Sequence, residues 1–344
     1  MTTSSMRAAS LVGRGKTDII DAPVPEAPVG HALVEPLLIA ICGSDLMKIY
    51  ADLVPEEFYP LPAGVSGHEG IARVVSMNPG DEPDPGYPWG TVKEGDIVLA
   101  LVPVVENAMS EFAIATIEIL LPLPKGKTYE ELILAQQLGT VIYACKRLPN
   151  IVGKTAVVIG QGSAGLFFNL MLRRMGAEKV IAIDHSDARL EMGKKFGADI
   201  IFNNKDADPV EFVLKEFGPD GADLVVEAVG EEETYNLLPH LIKRMGTLLY
   251  FGVPHKLRFD FDVMTWFRKV PNCIVSVNAN NDPGNQCMVQ ALDMISKGET
   301  DVTPMLTHSF GFDEVAKAYE LAHSREDGAG KVLVKMPSHD KYLK

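Results

Sequence analysis

One short stretch constrains this chain more than any other. The apolar run Thr155–Ile159 reads as a buried strand and passes directly into Gly160-Gln161-Gly162-Ser163-Ala164-Gly165. From Ala164 to Met175 the apolar residues then recur with helical spacing. In such a turn the three glycines have separate uses. Gly160 permits the tight bend, Gly162 lets backbone approach a pyrophosphate, and Gly165 lets the helix pack closely on the strand. Ser163 and Ala164 open the helix, whose N-terminal amides and dipole favour an anion.

The next strand, Lys179–Ile183, runs into Asp184, 19 residues after Gly165. A carboxylate there can accept hydrogen bonds from an adenosine ribose and repels a 2′-phosphate, which favours NAD over NADP. Arg189 leaves room for a phosphate partner. The competing reading is a purely structural glycine turn with Asp184 as a helix cap.

Strands and helices alternate through the surrounding region. Ala188–Phe196, Pro209–Phe217 and Thr234–Met245 read as helices; Ile200–Phe202, Leu224–Glu227, Thr247–Phe251 and Asn272–Val277 read as strands. This rhythm predicts a parallel, doubly wound α/β sheet. Before about residue 150 the pattern is different: Ala32–Leu38, Gly70–Met77, Asp96–Leu101 and Glu111–Ala115 read as short strands between Pro and Gly clusters. The acidic stretch Asn78–Asp96 reads as a surface connector, or as a rim or subunit contact. After 282 come two more helices, Gln286–Ser296 and Phe312–Leu321, and a last strand, Lys331–Lys335. No internal repeat is visible.

At 344 residues the chain has room for two domains, and with 47% hydrophobic and 23% charged residues it is globular in composition. Lys and Arg number 32 against 46 for Asp and Glu, a net charge of −14. Such a surface repels phosphate backbones and anionic lipid, which argues against a nucleic-acid or membrane partner. Four scattered cysteines make no disulfide scaffold, the opening MTTSSMRAAS has no apolar signal core, and no apolar run reaches membrane-spanning length. A reduced cytoplasm is the expected setting.

Two further turns carry chemistry: Cys42-Gly43-Ser44-Asp45 and Gly67-His68-Glu69-Gly70. Singly, Cys42 reads as a small buried hydrophobe and His68 as a satisfied core or loop histidine. Together they offer a thiolate, an imidazole and a carboxylate on glycine-flanked turns, a donor set for an open zinc site. Asp45 reads either as the carboxylate that orients the imidazole or as a helix N-cap.

In their order and spacing, CGSD, GHEG, VVIGQGSAG and the final GKVLVK resemble the zinc-dependent medium-chain dehydrogenases, whose members include sorbitol, threonine, secondary alcohol and archaeal glucose dehydrogenases. The resemblance covers almost the whole chain. It implies a GroES-like, β-rich catalytic domain built from 1–150 and 282–344, a Rossmann domain over 151–281, and one catalytic zinc in the cleft between them. It further implies Cys42 and His68 as zinc ligands, Glu69 as a third or exchangeable ligand, and Ser44 as the hydroxyl that takes the alcohol proton. Asp184 and Arg189 match the residues at the adenosine ribose, Lys331 falls near the cofactor pyrophosphate, and Val229 and Val253 form the nicotinamide wall.

Three departures qualify the resemblance. Gln136 stands where a charged last ligand is usual; it binds zinc through its carbonyl oxygen or only holds a zinc-bound water. The four-cysteine structural zinc lobe is missing, since the stretch between Leu101 and Glu111 has no cysteine, so one metal per chain is expected. Met47 replaces the histidine that often passes the proton onward, and His185, beside Asp184, is poorly sited to substitute. The implied activity is zinc-assisted hydride transfer between NAD(H) and a small secondary alcohol, polyol or ketone. Met47, Tyr50, Phe58, Tyr59 and Trp89 are candidate pocket residues, each equally explained by core or rim packing. Two alternatives stand beside this reading: a zinc-free quinone or enone reductase of the same fold, and a dinucleotide-binding relative without turnover. The strand Asn272–Val277 could extend its sheet across a two-fold axis, giving a homodimer or homotetramer.

Overall fold

The computed structural model describes residues 5–51, 53–80, 87–101, 108–277, 279 and 282–343. It opens with an antiparallel hairpin, β1 (Ser5–Gly13) and β2 (Lys16–Pro23), turned at Gly15, whose φ is 67°. Next come β3 (His31–Ala40), α1 (Gly43–Tyr50), β4 (Glu69–Asn78), β5 (Ile97–Leu101), β6 (Ala113–Thr116) and β7 (Leu120–Pro122). A short α2 (Tyr129–Leu132) and α3 (Ala135–Lys146) lead to the parallel region.

That region alternates strictly: β8 (Thr155–Ile159), α4 (Ser163–Arg174), β9 (Lys179–Asp184), α5 (Asp187–Lys195), β10 (Ile200–Asn203), α6 (Pro209–Phe217), β11 (Ala222–Glu227), α7 (Glu232–Leu241), β12 (Ile242–Tyr250), α8 (Val263–Lys269) and β13 (Asn272–Val275). The chain then returns through α9 (Gln286–Ser296), β14 (Leu306–Gly311), α10 (Val315–Ser324), β15 (Lys331–Lys335) and α11 (His339–Tyr342).

These elements form two units, Met1–Gln136 with Asp282–Lys344, and Gln137–Asn281. The first division falls inside α3, earlier than the residue-150 boundary that the change of rhythm suggests. In the first unit, strands run β14-β15-β3-β4-β5-β7, with β6 also pairing β3. Leu333 pairs Ala40 and Val334 pairs Ile39, so the end of the chain lies against its most buried early strand. This mixed, mostly antiparallel sheet is the GroES-like part.

The second unit is a six-stranded parallel sheet, β10-β9-β8-β11-β12-β13. Strand order reverses between β8 and β11, which puts a topological switch point at their carboxyl ends. One helix is shorter than expected. α7 stops at Leu241, two residues after Pro239, and Ile242 already belongs to β12. Proline removes a helical N–H, and Met245 at φ 63° could not continue a right-handed helix. Part of the Asn78–Asp96 connector (81–86) and most of the cysteine-free stretch (102–107) lie outside the described residues. Among the described residues no helix is long and apolar enough to cross a membrane.

Candidate functional site

The first candidate site is built on the turn after β3 and the turn before β4. Cys42 precedes α1, and its amide donates to Asp45 Oδ2 at 2.9 Å, closing the first helical turn. Asp45 Oδ1 accepts from the Gly67 amide at 2.8 Å and stands 3.3 Å from His68 Nδ1. Asp45 is not the N-cap of α1, which is Cys42; from the third helical position its carboxylate serves the helix end and faces the ring. Burial opposes its charge, but His68 and the two amides outweigh burial and hold its pKa below the ordinary value. Burial likewise works against a charged His68, yet Asp45 and Cys42 raise its pKa well above the usual imidazole value.

With Nδ1 facing Asp45, His68 Nε2 is turned toward Ser44 Oγ, 3.5 Å away. Cys42, His68 and Glu69 each present a ligand atom within 4.8 Å of the others. Zinc bonds of about 2.0–2.3 Å would draw such a group together with small side-chain rotations. The donor chemistry fits: a thiolate, an imidazole oriented from behind by a carboxylate, and a carboxylate. Gln136 belongs to the same unit, buried at the start of α3, and Met47 is buried on α1.

Lys331, expected near a cofactor pyrophosphate, instead puts its ammonium on Glu69, 2.8 Å from Oε1 and 2.6 Å from Oε2. Both side chains are almost completely buried, at 3% and 0% exposure. Burial pulls the lysine toward neutrality, but Glu69 and then Cys42 raise its pKa above the ordinary value. The pair also changes the charge around the ligands. Cys42 and Glu69 bring two negative charges, and Lys331 returns one positive charge. The signal for this contact was a lone lysine opening an apolar strand, which names no partner.

The second candidate site lies at the switch point of the parallel sheet. Gly160 has φ 90°, and a Cβ there would lie 2.6 Å from Val229 Cγ2. A Cβ on Gly165 would lie 1.8 Å from the Gly160 carbonyl oxygen, so any side chain would force α4 away from the turn. At Gly162 nothing stands within 4 Å, leaving the backbone approachable by a phosphate. Ser163 Oγ donates to Gln137 Oε1 at 3.3 Å, and Ala164 follows it in the first turn of α4. Asp184 Oδ2 accepts from the Gln161 amide at 2.7 Å, and Oδ1 from the Ser186 amide at 2.9 Å. Each oxygen retains a further lone pair for a ribose hydroxyl. Arg189 is half-buried on α5, and His185 is exposed.

Two polar groups behind this turn escape sequence reading. Buried Gln161 donates to the Val158 and Gly160 carbonyls and accepts from Asn169 at 2.7 Å. Glu227, fully buried at the end of β11, accepts from the Val229 and Gly230 amides and the Thr234 hydroxyl through Oε1. Burial pushes its pKa up. A charged residue closing the apolar run of Leu224–Glu227 was the available clue.

Val253 lines a cavity of about 560 Å³ in this unit, walled by Tyr235, Tyr250, Phe259, Trp266 and Val275. None of the five candidate pocket residues lines it. Tyr50 instead stacks on His323 with ring centroids 4.0 Å apart, and Phe58 is exposed.

The model of the zinc-binding dehydrogenase family matches residues 164–297. An alcohol dehydrogenase of Cupriavidus necator is 25% identical, over 97% of this chain and 99% of its own. Sorbitol dehydrogenase 2 of Saccharomyces cerevisiae is 27% identical, over 95% and 97%. The solved structure of zinc dependent alcohol dehydrogenase 2 from Streptococcus pneumonia superposes with a TM-score of 0.82 at 23% identity, over 96% and 99%. A GroES-like sheet interrupted by a doubly wound dinucleotide-type sheet defines the medium-chain dehydrogenase/reductase class. The chain is similar to zinc-binding dehydrogenases of that class along nearly its whole length.

Proposed function

We propose that this protein is an NAD-linked, zinc-dependent oxidoreductase that interconverts a secondary alcohol or polyol and its ketone. The grouping of Cys42, His68 and Glu69 around one point carries this reading. It is supported by relatives named for alcohol and sorbitol oxidation and by the open Gly162 turn beside Asp184. When bound, zinc would supply Lewis acidity that makes an alcohol hydroxyl more acidic, and NAD would supply the hydride acceptor.

The protein's own residues have separate tasks. Cys42 and His68 hold the metal, Glu69 ligates or yields its place, and Gln136 contributes a neutral oxygen directly or through water. Asp45 keeps the His68 ring in register. Ser44 accepts the alcohol proton, and its half-buried hydroxyl beside His68 suits that task. Gly160, Gly162, Ser163, Ala164 and Gly165 take the pyrophosphate, Asp184 and Arg189 the ribose, and the Val229 and Val253 backbone the nicotinamide. With all four cysteines free, a reducing cytoplasm is the matching compartment.

The test begins with a panel of secondary alcohols and polyols offered with NAD, using protein of known zinc content. Failure of every alcohol to reduce NAD would overturn the reading. With a substrate that works, Ser44→Ala is expected to keep its zinc while turnover falls about 10²–10⁴-fold, the range for a positioned acid–base group. Unchanged turnover would remove Ser44 from the proton path.

The same reading assigns the edge of the parallel sheet to self-association. β13 is the last strand, and Val275, Val277 and Phe267 are 65%, 60% and 68% exposed. An exposed apolar edge of this kind is suited to pairing with a second copy. Val275→Asp is expected to shift sedimentation from dimer or tetramer toward monomer; an unaltered profile would place the contact elsewhere.

A further inference from the structure

The turn Ser66-Gly67-His68-Glu69 carries two of the three candidate ligands on a backbone that few side-chain-bearing residues adopt. Ser66 has φ 123°, in a region costly for any residue but glycine, and Gly67 follows at φ 78°. Such a conformation persists only where its surroundings hold it. Ser66 is fully buried, and its Oγ is hydrogen-bonded to the Tyr319 hydroxyl. The Ser66 carbonyl accepts from the Met109 amide at 3.2 Å.

Tyr319 lies on α10, 253 residues further along the chain, packed in the core with Ile39, Met109, Phe312 and Val332. Phenylalanine would fill the same space; tyrosine adds only a hydroxyl, and that hydroxyl meets Ser66. Burial, and next the Asp45 charge, push its pKa well up, so it remains a neutral hydroxyl. At the far end of the same turn, Lys331 at the start of β15 holds Glu69. The α10–β15 segment thus grips both ends of the ligand turn.

We propose that Tyr319 is a positioning residue for the metal: by holding Ser66 in its left-handed backbone, it fixes how His68 and Glu69 leave the turn. This rests on reading Cys42, His68 and Glu69 as ligands. Removing a group that orients ligands typically weakens metal binding about 10–100-fold.

The test compares wild-type protein with Tyr319→Phe, Ser66→Ala and the double variant, each stripped of metal and titrated with Co²⁺ against a competing chelator. The visible cobalt spectrum and the thermal unfolding of the metal-free forms are recorded in parallel. Each single substitution is expected to weaken cobalt binding about 10–100-fold and to shift the d–d bands. The double variant should be no worse than the singles, because all three lose the same bond. Unchanged affinity and spectrum in Tyr319→Phe would reduce the residue to core packing and overturn the proposal. If that variant does not fold, Ser66→Ala leaves the ring in place and decides by the same criterion. Wild-type protein that binds no cobalt would instead overturn the ligand reading, and this proposal with it.

Discussion

Cys42→Ala is expected to yield a folded protein without bound metal and without measurable alcohol oxidation, against one zinc per wild-type chain. The thiolate is the softest donor of the group, and its loss leaves an imidazole and a carboxylate already engaged by Lys331. These two, with at most a neutral Gln136 oxygen beside them, do not hold zinc against a chelator. The fold should survive, because the alanine variant keeps the Cys42 backbone amide on Asp45 that closes α1. Metal content by mass spectrometry and far-UV circular dichroism on one sample check both halves. Full zinc occupancy in the variant would move the metal away from Cys42 altogether. A second zinc in the wild type would contradict the single-site expectation.

Lys331→Met carries the largest expected cost in stability. It leaves Glu69 completely buried without its counter-charge, and breaking a buried pair from one side costs about 3–5 kcal/mol. The metal-free variant should therefore unfold at markedly lower urea than wild type. Zinc should then recover more stability in the variant than in the wild type, because a divalent cation can answer the stranded carboxylate and ligands that bind only the native state stabilise it. An equal zinc-dependent gain in both proteins would put Glu69 outside the metal's reach.

What the sequence discloses about this chain depends on how local the cause is. Thr155–Ile159 and Pro209–Phe217 are found at their true boundaries, because a continuous apolar run and a proline at a helix start act over a few residues. The glycine turn is legible for the same reason, since each glycine answers to a neighbour in the same strand–helix unit. The first unit hides more. β1 passes through Ala8, Ala9 and Ser10, too small to stand out as a strand, and α3 is buried over most of its length, with little amphipathic stripe. The candidate ligands Cys42, His68 and Glu69 are readable from their chemical types, but their holders are not. Lys331 and Tyr319 reach the ligand turn across 262 and 253 residues, and no short-range pattern couples them to it. The Lys331–Glu69 pair and the Tyr319–Ser66 contact are therefore visible only in the structure.

The pairing of β15 with β3 has a consequence for how the molecule is made. Residues leave the ribosome from the amino end, so β3, the Cys42 turn and the His68 turn exist long before the strand that completes their sheet. The inserted parallel unit, Gln137–Asn281, is continuous and can close on itself while the earlier part still waits. Only after Gln137–Asn281 has been made do Tyr319 and Lys331 become available to lock the turn that carries His68 and Glu69. Nascent chains stalled before β15 would thus hold a complete parallel sheet while the turn that carries His68 and Glu69 still lacks its holders.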